Sequence, residues 1–372
     1  MTNVLTLELH DLNPPDFFQQ VILIRKGTID RPELRERDPR GIWITLIPIF
    51  GFIVGLTAIA LLSWTGYSSV SNHQYCEVFI DDFSGGFNST IWTKHVETGG
   101  YGNGEFELTT GGDENVFVRD GQLVIRPTIQ NESYIENTSV TNLTADGTCT
   151  SSSSEDCVLS ANITAGEIVQ PVKSGRISTK NFAVIRYGRI DITAKLAAGD
   201  WLLSQVMMYP AEDYYGPWPA SGEIDIGMAR GNNYSYGDGQ GNQLLQSSLH
   251  WGPDSTTDRW QTTTGARDAL HSTYNDKFHT FGLEWTRDYL FTWVDSRLAQ
   301  VTYVKFNHDF FKLGGYDKPW ADASTTPRKD FWDARDQWGP TWEKKGHGEM
   351  VVKKVSMWQQ CDAGATDLSG FA

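Results

Sequence analysis

The feature that most constrains this chain is a run of 23 residues without a charged side chain, from Ile42 to Trp64. As an α-helix the run is roughly 34 Å long, which is enough to cross the hydrocarbon core of a bilayer. A cleaved signal peptide is shorter and lies nearer the start of a chain. A buried core helix is the alternative, but the length and the flanks of the run favour a transmembrane signal-anchor. Pro48 is compatible with a membrane helix, which tolerates a kink.

The charges around the run predict its orientation. After the run, the first Lys or Arg is Lys94, whereas six basic residues precede it: Arg25, Lys26, Arg31, Arg35, Arg37 and Arg40. Because positive charge stays on the cytosolic side, everything after about residue 66 is expected outside. Residues 1–41 are polar and predict a disordered cytosolic tail. We therefore expect a single-pass type II membrane protein whose C-terminal domain is extracellular or lumenal.

Domain limits follow from this division. Residues 42–64 form the anchor, 65–75 a linker, 76–361 one domain and 362–372 a C-terminal tail.

The four cysteines all follow the apolar run, and an even number in an exported segment predicts disulfides. Cys149 and Cys157 bracket a Ser-rich loop and are expected to pair locally. Cys76 and Cys361 then join the two ends of the domain. Metal binding is the rival interpretation, but no C-x-x-C or neighbouring His spacing supports it.

N-glycosylation triplets agree with the same topology. Each triplet lies on the predicted outer side and none precedes the span; they begin at Asn88, Asn131, Asn137, Asn142, Asn162 and Asn233. The sequence therefore predicts a glycoprotein.

Composition and patterning predict an all-β fold. A net charge of −15 and a pI near 4.9 disfavour nucleic acid as a partner. Aromatic side chains are numerous, and they either stack on sugar rings or fill a large core. Short alternating runs separated by Gly, Asn and Asp predict strands, with a hairpin at Asp295. The clearest strands are 122–126, 186–196, 244–251, 279–285, 290–294 and 350–358. Together they indicate a β-sandwich.

One of these strand-like segments reads SGEIDIGMARGN, from Ser221 to Asn232. Glu223 and Asp225 are two residues apart, so on a strand they share a face. Two carboxylates held side by side among isoleucines repel each other and perturb each other's pKa. Such a costly arrangement points to a functional site.

The segment resembles the active-site strand of glycoside hydrolase family 16, the laminarinase or endo-1,3(4)-β-glucanase group. Further landmarks resemble the family, and its fungal members in particular: IDDFSGGFNSTIW (80–92), GGYGNGEFE (99–107), SGRISTK (174–180), YGRIDITAKL (187–196), YGPWPASGEIDI (215–226), LHWGP (249–253), FHTFGLEW (278–285) and MWQQC (357–361). The resemblance covers about residues 76–361. It implies a concanavalin A-like β-jelly-roll that binds a β-glucan chain.

The resemblance also implies roles for the acids. Family members carry Glu-x-Asp-x-x-Glu and retain anomeric configuration, so Glu223 takes the position of the nucleophile and Asp225 that of its helper. A β-bulge is expected to return the last position to the same face. Met228 stands there in place of the acid/base Glu, and a thioether has no proton to give.

Two further departures from the family are visible. Leu203 and Met207 replace tryptophans of the cleft floor, whereas Trp201 remains. Ordinary core filling is an alternative for Met207, Met208 and Met228. Near residues 311–316, roughly two dozen family residues have no counterpart, and a sandwich that loses a strand exposes its neighbours' edges. An exon omitted from the predicted gene, or a truly shortened variant, would explain this; we favour the former.

Other residues resemble substrate-binding positions of the family. For His250 the alternative is a structural histidine, and for Arg230 and Asn232 it is turn formation. The remaining candidates are Trp218, Trp251, Asn103 and Glu105. No cofactor is expected: the family's structural calcium site has no D-x-D-x-D loop here. A Ser-His-Asp hydrolase is not indicated, because no G-x-S-x-G motif occurs.

These observations predict a β-1,3-glucan-directed protein of the cell surface. By resemblance it is a retaining endo-glucanase, although Met228 makes its activity uncertain. The alternative is a glucan-binding protein that does not hydrolyse its ligand. A third interpretation, a truncated product without a stable fold, follows from the internal gap. The residues leave open whether 1,3-linked or mixed 1,3/1,4-linked glucan is preferred.

Overall fold

A computed structural model of the chain describes most of its residues. The chain divides into two units, Met1–Asn72 and His73–Ala372, which are considered separately. The described residues are 40–69, 73–102, 104–307, 310–315, 335–344 and 346–361.

Helix α1 (Gly41–Ser69) is the described part of the first unit. It extends beyond the predicted limits of 42–64 at both ends. The helix is long and apolar enough to cross a membrane, and none of its most apolar stretch is buried. Exposed apolar side chains do not fit the alternative of a buried core helix.

The larger sheet of the second unit has eight strands. Seven follow one another in the spatial order β18-β17-β16-β11-β19-β5-β4, and β1 pairs with the remaining length of β19. The strands are β1 (Tyr75–Asp81), β4 (Val116–Arg119), β5 (Gln122–Ile125), β11 (Gly188–Lys195), β16 (His279–Trp285), β17 (Tyr289–Val294), β18 (Ser296–Lys305) and β19 (Met350–Gln360).

A four-stranded sheet, in the order β12-β13-β14-β15, carries the acid pair Glu223 and Asp225. Its strands are antiparallel: β12 (Leu203–Met208), β13 (Glu223–Arg230), β14 (Leu244–His250) and β15 (Gly265–Asp268).

The remaining strands form short ladders. β9 lies between β3 and β6, β2 pairs with β10, and β7 pairs with β8. These strands are β2 (Thr93–Lys94), β3 (Glu107–Thr109), β6 (Thr128–Ile129), β7 (Val140–Asn142), β8 (Val158–Ser160), β9 (Val172–Ser174) and β10 (Ile177–Ser178). The described part of the second unit also contains four short α-helices: α2 (Glu132–Asn137), α3 (Ser154–Cys157), α4 (Phe310–Gly314) and α5 (Arg335–Trp342). Five 3₁₀ helices lie at Gly100–Gly102, Ile163–Ala165, Tyr236–Asp238, Ser255–Thr257 and Trp260–Thr262.

The core lies between the two larger sheets. Ile226 and Leu245 of the four-stranded sheet are buried in one cluster with Phe281, Leu283 and Val355 of the eight-stranded sheet. Burying two apolar faces against each other is what stabilises a sandwich. The predicted all-β sandwich is therefore confirmed.

Two disulfides close the chain on itself. Cys76 is bonded to Cys361, and Cys149 to Cys157, the pairs expected from the sequence. The first joins residues 285 positions apart, at the limits predicted for the domain.

The strand predictions agree closely with the observed elements, including β16, whose observed and predicted limits coincide. The hairpin turn lies at Asp295, whose φ of 59° falls in the left-handed region. The predicted gap adjoins α4, and the residues 316–334 that follow lie outside the described residues.

Candidate functional site

A bulge in β13 determines which side chains share the face of the four-stranded sheet that is turned away from the core, here called the cleft face. Asp225 pairs with Ser248. Met228 lies three residues later in β13, but its partner Gln246 lies only two residues earlier in β14. The neighbouring strand shows the same shift, since Val206 pairs with Gly227 and Met207 with Asp225. One extra residue therefore lies in β13, as the sequence predicts.

Gly227 explains how the bulge is accommodated. A Cβ at this position would lie 3.3 Å from side-chain atoms of both Leu245 and Phe281. Ile226 is also buried in the core, so two consecutive residues face inward. The alternation then resumes, with Ala229 in the core and Met228 on the cleft face with Glu223 and Asp225.

The acid pair is buried and held by neighbouring donors. Glu223 and Asp225 are 4% and 3% exposed. The Trp218 indole N–H donates to Glu223 Oε2 at 2.6 Å. Asp225 Oδ2 accepts from the Ser248 hydroxyl at 2.5 Å and lies 3.2 Å from His250 Nε2.

His250 is a cation shared by two carboxylates. Its Nδ1 lies 2.5 Å from Asp258 Oδ2, and its ring lies between Trp218 and Trp260, with centroids 5.6 and 6.0 Å away. Burial alone would lower the pKa of His250, but the hydrogen bonds with Asp225 and Asp258 raise it to about 10. The imidazolium therefore offsets part of the negative charge of the site at neutral pH.

Glu223 has the pKa of a group that exchanges protons near neutrality. Burial and the charge of Asp225 raise the pKa of Glu223 to about 7, against the lowering effects of His250 and Trp218. A carboxyl group with such a pKa is present in both protonation states at neutral pH.

Potential metal ligands converge on the same place. The ligand atoms of Glu223, Asp225 and His250 all lie within 4.8 Å of one another, the one such group among the described residues. A protonated imidazole cannot bind a metal ion. The contacts of His250 with both aspartates therefore favour proton sharing over metal binding at this cluster.

Met228 has amides rather than acids as its nearest partners. Its cross-strand neighbours are Gln205 and Gln246, and the Gln205 amide nitrogen lies 3.8 Å from the Met228 sulfur. Neither neighbour titrates in the biological pH range. The cleft face thus carries two carboxyl groups in β13 and no proton donor at position 228.

Met207 also lies on the cleft face, rather than in the core. Its sulfur lies 3.6 Å from the Arg176 guanidinium. Arg176 in turn stacks on Tyr101, 3.7 Å from the ring centroid, and on Tyr209, 4.9 Å away. Met208 instead packs against the core, so the core-filling alternative applies to Met208 and not to Met207.

Trp201 and Leu203 are exposed at the end of β12. Trp201 is 53% and Leu203 45% exposed. Trp201 has a φ of 67°, in the left-handed region, and its backbone N–H donates to Asn232 Oδ1 at 3.2 Å. Asn232 is buried and also bonds Asp200, so its amide stabilises the loop that presents Trp201.

The other predicted residues divide between the two faces. Arg230 pairs with Leu203 on the cleft face, in register with Met228. Trp251 does not reach the cleft face: it packs against the core and Phe310, and its indole N–H donates to Thr263. Because Trp251 follows His250 directly, the two side chains lie on opposite sides of the extended chain.

Glu105 belongs to a second group of acids. Burial and the nearby Glu107 raise the pKa of Glu105 to about 8, with a smaller contribution from the charge of Glu223. Asn103 lies outside the described residues.

Several contacts were not predicted. Ser248 has a detectable signal, because it lies two residues before His250 on β14 and so shares its face. Asp258 and Trp260 belong to a loop after β14 and carry no such signal. Arg176 lies within SGRISTK, but nothing in that motif predicts its stacking on Tyr101 and Tyr209.

The comparisons with known proteins define the class. The family described as glycosyl hydrolases family 16 matches residues 129–317. The chain belongs to this family. Solved structures with the same fold include the laminarinase from Rhodothermus marinus, with a TM-score of 0.50 and 20% identity over 78% of this chain and 100% of that one. The endo-β-1,3-glucanase from Pyrococcus furiosus has a TM-score of 0.50 and 18% identity, over 79% of this chain and 98% of that one.

Among curated proteins, the β-1,3-glucan-binding protein of Penaeus monodon is 31% identical over 336 residues, which cover 76% of this chain and 90% of the relative. Gram-negative bacteria-binding protein 1 of Drosophila melanogaster is 29% identical over 276 residues, 62% of this chain and 55% of the relative. The chain thus spans most of the first relative and about half of the second. The likeness to fungal members in particular stays a prediction.

Proposed function

We propose that the domain binds β-1,3-glucan along the cleft face and does not hydrolyse it at the rate of a complete family 16 enzyme. The observation that carries this proposal is Met228, which shares the cleft face with Glu223 and Asp225 and has Gln205 and Gln246 as neighbours. The name of the Penaeus monodon relative, a β-1,3-glucan-binding protein, supports the same ligand.

The chemistry of the site explains how glucan binding can be retained when hydrolysis is lost. A retaining glycosidase needs a nucleophilic carboxylate and a carboxylic acid about 5–5.5 Å apart. Glu223 supplies the former when it is ionised. Removing general acid–base assistance typically slows such a reaction about 10²–10⁴-fold. Trp201 and the polar side chains of the cleft face remain available to a sugar chain, because they do not depend on position 228.

Trp201 is the best candidate for stacking on glucose rings. Its indole is exposed, and its backbone is held in a strained conformation by Asn232. Strain of this kind persists where a side chain must be presented in a fixed orientation. Arg230 is proposed to hydrogen-bond sugar hydroxyls. The ring nitrogens of Trp218 and His250 already bond Glu223, Asp225 and Asp258, so these two residues are proposed to contact the sugar through their ring faces.

Slow hydrolysis is the second candidate function. Glu223 and Asp225 remain, and burial raises the pKa of Glu223 to about 7, so an ionised carboxylate is available at neutral pH. This function requires a proton donor other than residue 228.

We further propose that α1 anchors the domain to a membrane with the domain outside the cytosol. The basic residues before α1, the disulfides and the six N-glycosylation triplets support this orientation. Protease added to sealed microsomes should spare the domain, and glycosidase treatment should reduce its mass. Digestion of the domain in intact vesicles would contradict the orientation.

The binding proposal is tested with the full chain in detergent micelles, by affinity electrophoresis in gels that contain laminarin or dextran. Laminarin should retard the protein and dextran should not. Trp201→Ala should weaken the retardation by laminarin. Leu298→Ala serves as the matched control, because Leu298 is 95% exposed on the other sheet. Equal migration of the wild-type chain in both gels would refute glucan binding.

A further inference from the structure

A second group of reactive side chains lies where β2 and β10 meet. Ser178 Oγ lies 2.8 Å from His95 Nε2, and His95 Nδ1 lies 3.0 Å from Glu97 Oε1. A hydroxyl, an imidazole and a carboxylate in this order of contact are the arrangement that activates a serine for acyl transfer. None of the three belongs to the acid pair or to its hydrogen-bond partners.

The carboxylate has the properties that this arrangement needs. Glu97 is 9% exposed and also accepts a hydrogen bond from the Thr150 hydroxyl at 3.1 Å. Burial alone would raise the pKa of Glu97, but His95, Thr150 and the charge of Arg176 lower it below its ordinary value. Glu97 is therefore an anion, and an anionic carboxylate only accepts hydrogen bonds.

The tautomer of His95 follows from the ionisation of Glu97. Because Glu97 accepts, His95 Nδ1 must donate to it. In the neutral imidazole Nε2 is then the acceptor, and the Ser178 hydroxyl donates to it. This is the tautomer in which a histidine can remove the proton of a serine.

The group is accessible. The His95 side chain is 16% exposed, and Ser178 is half-buried. The backbone N–H of Lys180 donates to Ser178 Oγ at 3.4 Å and so helps to orient the hydroxyl. The half-buried hydroxyl admits a small acyl group, such as acetyl, more readily than a long one.

We propose that Ser178, His95 and Glu97 form a second reactive site, at which Ser178 accepts small acyl groups from carboxylic esters. Ser178 Oγ adds to the ester carbonyl carbon while its proton passes to His95 Nε2. The bond to the alcohol oxygen breaks, and His95 returns the proton to that oxygen. Water then attacks the acyl-serine by the same route, releasing a carboxylic acid and restoring Ser178. Glu97 is a positioning residue, since it acts through His95.

The test uses the full chain in detergent micelles and a fluorophosphonate probe, with peptide mapping of the labelled residue. Wild type should be labelled at Ser178, and Ser178→Ala should lose that label. His95→Ala should slow labelling by about ten-fold or more. Ser84→Ala is the matched control, because the Ser84 hydroxyl contacts the Asp82 carboxylate at 2.7 Å instead of an imidazole. It should be labelled like wild type.

A comparison of two Glu97 variants separates activation from a purely structural role. Glu97→Gln replaces the accepting carboxylate by an amide that can also donate to Nδ1 and so no longer fixes the tautomer of His95. Labelling of Ser178 should then slow by about ten-fold or more, whereas Glu97→Asp should retain part of the wild-type rate. Equal labelling rates for Glu97→Gln and wild type would contradict the role of Glu97. Wild type should likewise hydrolyse 4-nitrophenyl acetate faster than Ser178→Ala does. Absence of label on Ser178 in wild type between pH 6 and 9, in protein that melts cooperatively, would overturn the proposal. Because this test does not use glucan, its outcome is independent of the proposed function.

Discussion

If the cleft face binds glucan as proposed, Met228→Glu should make it hydrolytic. The substitution adds a carboxyl group to the cleft face between the amides of Gln205 and Gln246, in the strand that already carries Glu223 and Asp225. Met228 is half-buried, and Glu has a similar length, so the bulge need not change. The new group supplies the proton that the leaving sugar oxygen requires.

The expected gain in the rate of hydrolysis is large compared with the expected loss of stability. General acid–base assistance is worth about 10²–10⁴ in rate, or about 3–5 kcal/mol of activation free energy. Repulsion from the acid pair opposes the new carboxyl group, but the shared His250 cation offsets it. We expect a loss of about 1–2 kcal/mol in the free energy of unfolding, within the usual range for one substitution.

The assay measures reducing ends released from laminarin across pH 4–9. Met228→Gln is the matched control, because it has the same shape without the acid and should stay at the wild-type rate. Adding Glu223→Gln to Met228→Glu should abolish the gain, because the proposed nucleophile is lost. Activity should fall below pH 7 as Glu223 becomes protonated, since burial raises its pKa to about 7. If Met228→Glu and Met228→Gln release reducing ends equally while both bind laminarin, the reasoning is wrong.

Three further predictions concern stability and affinity. Because the folded-state pKa of Glu223 is raised, its stabilising contribution is complete below about pH 4.5 and is lost as pH rises through 7. At pH 8, Glu223→Gln should therefore increase the free energy of unfolding by on the order of 1–3 kcal/mol and raise the melting temperature above that of wild type. At pH 4 the substitution should have little effect. The opposite trend in calorimetry would contradict the buried charge. Replacing both Cys76 and Cys361 by Ser should lower stability in urea titration by about 3–5 kcal/mol, whereas an unchanged midpoint would show that the closure is dispensable. Leu203→Trp should tighten laminarin binding about 2- to 10-fold in calorimetry by restoring a stacking surface, and Leu203→Ile, the control, should not.

Local patterns in the sequence were sufficient for the strands, and the family resemblance was sufficient for the bulge. The alternation of Phe281, Leu283 and Trp285 with Thr280, Gly282 and Glu284 predicts both ends of β16, and Gly282 and Glu284 are buried as well. The resemblance to the family predicts the bulge that returns Met228 to the cleft face, and Gly227 accommodates it. The same alternation, applied to His250 and Trp251, would have excluded Trp251 from the cleft face.

Contacts between distant segments carry no such pattern. Ser178 and His95 are 83 positions apart. Ser178 ends β10 and His95 directly follows β2, and the ladder between these strands has two residues on each side, too few for periodicity to detect. Asp258 reaches His250 from a loop, and Arg176 reaches Tyr101 across the sheet edge. These contacts depend on how the loops pack on the sandwich. The pattern of residues along a single sequence does not specify that packing.

The most direct test of the account asks whether the unmodified full chain holds a glucan without cutting it. Titration of laminarihexaose in a calorimeter, followed by chromatography of the same sample after a day, measures both properties on one preparation. We expect saturable binding and an intact hexasaccharide. Complete conversion to shorter oligosaccharides, abolished by Glu223→Gln, would contradict it.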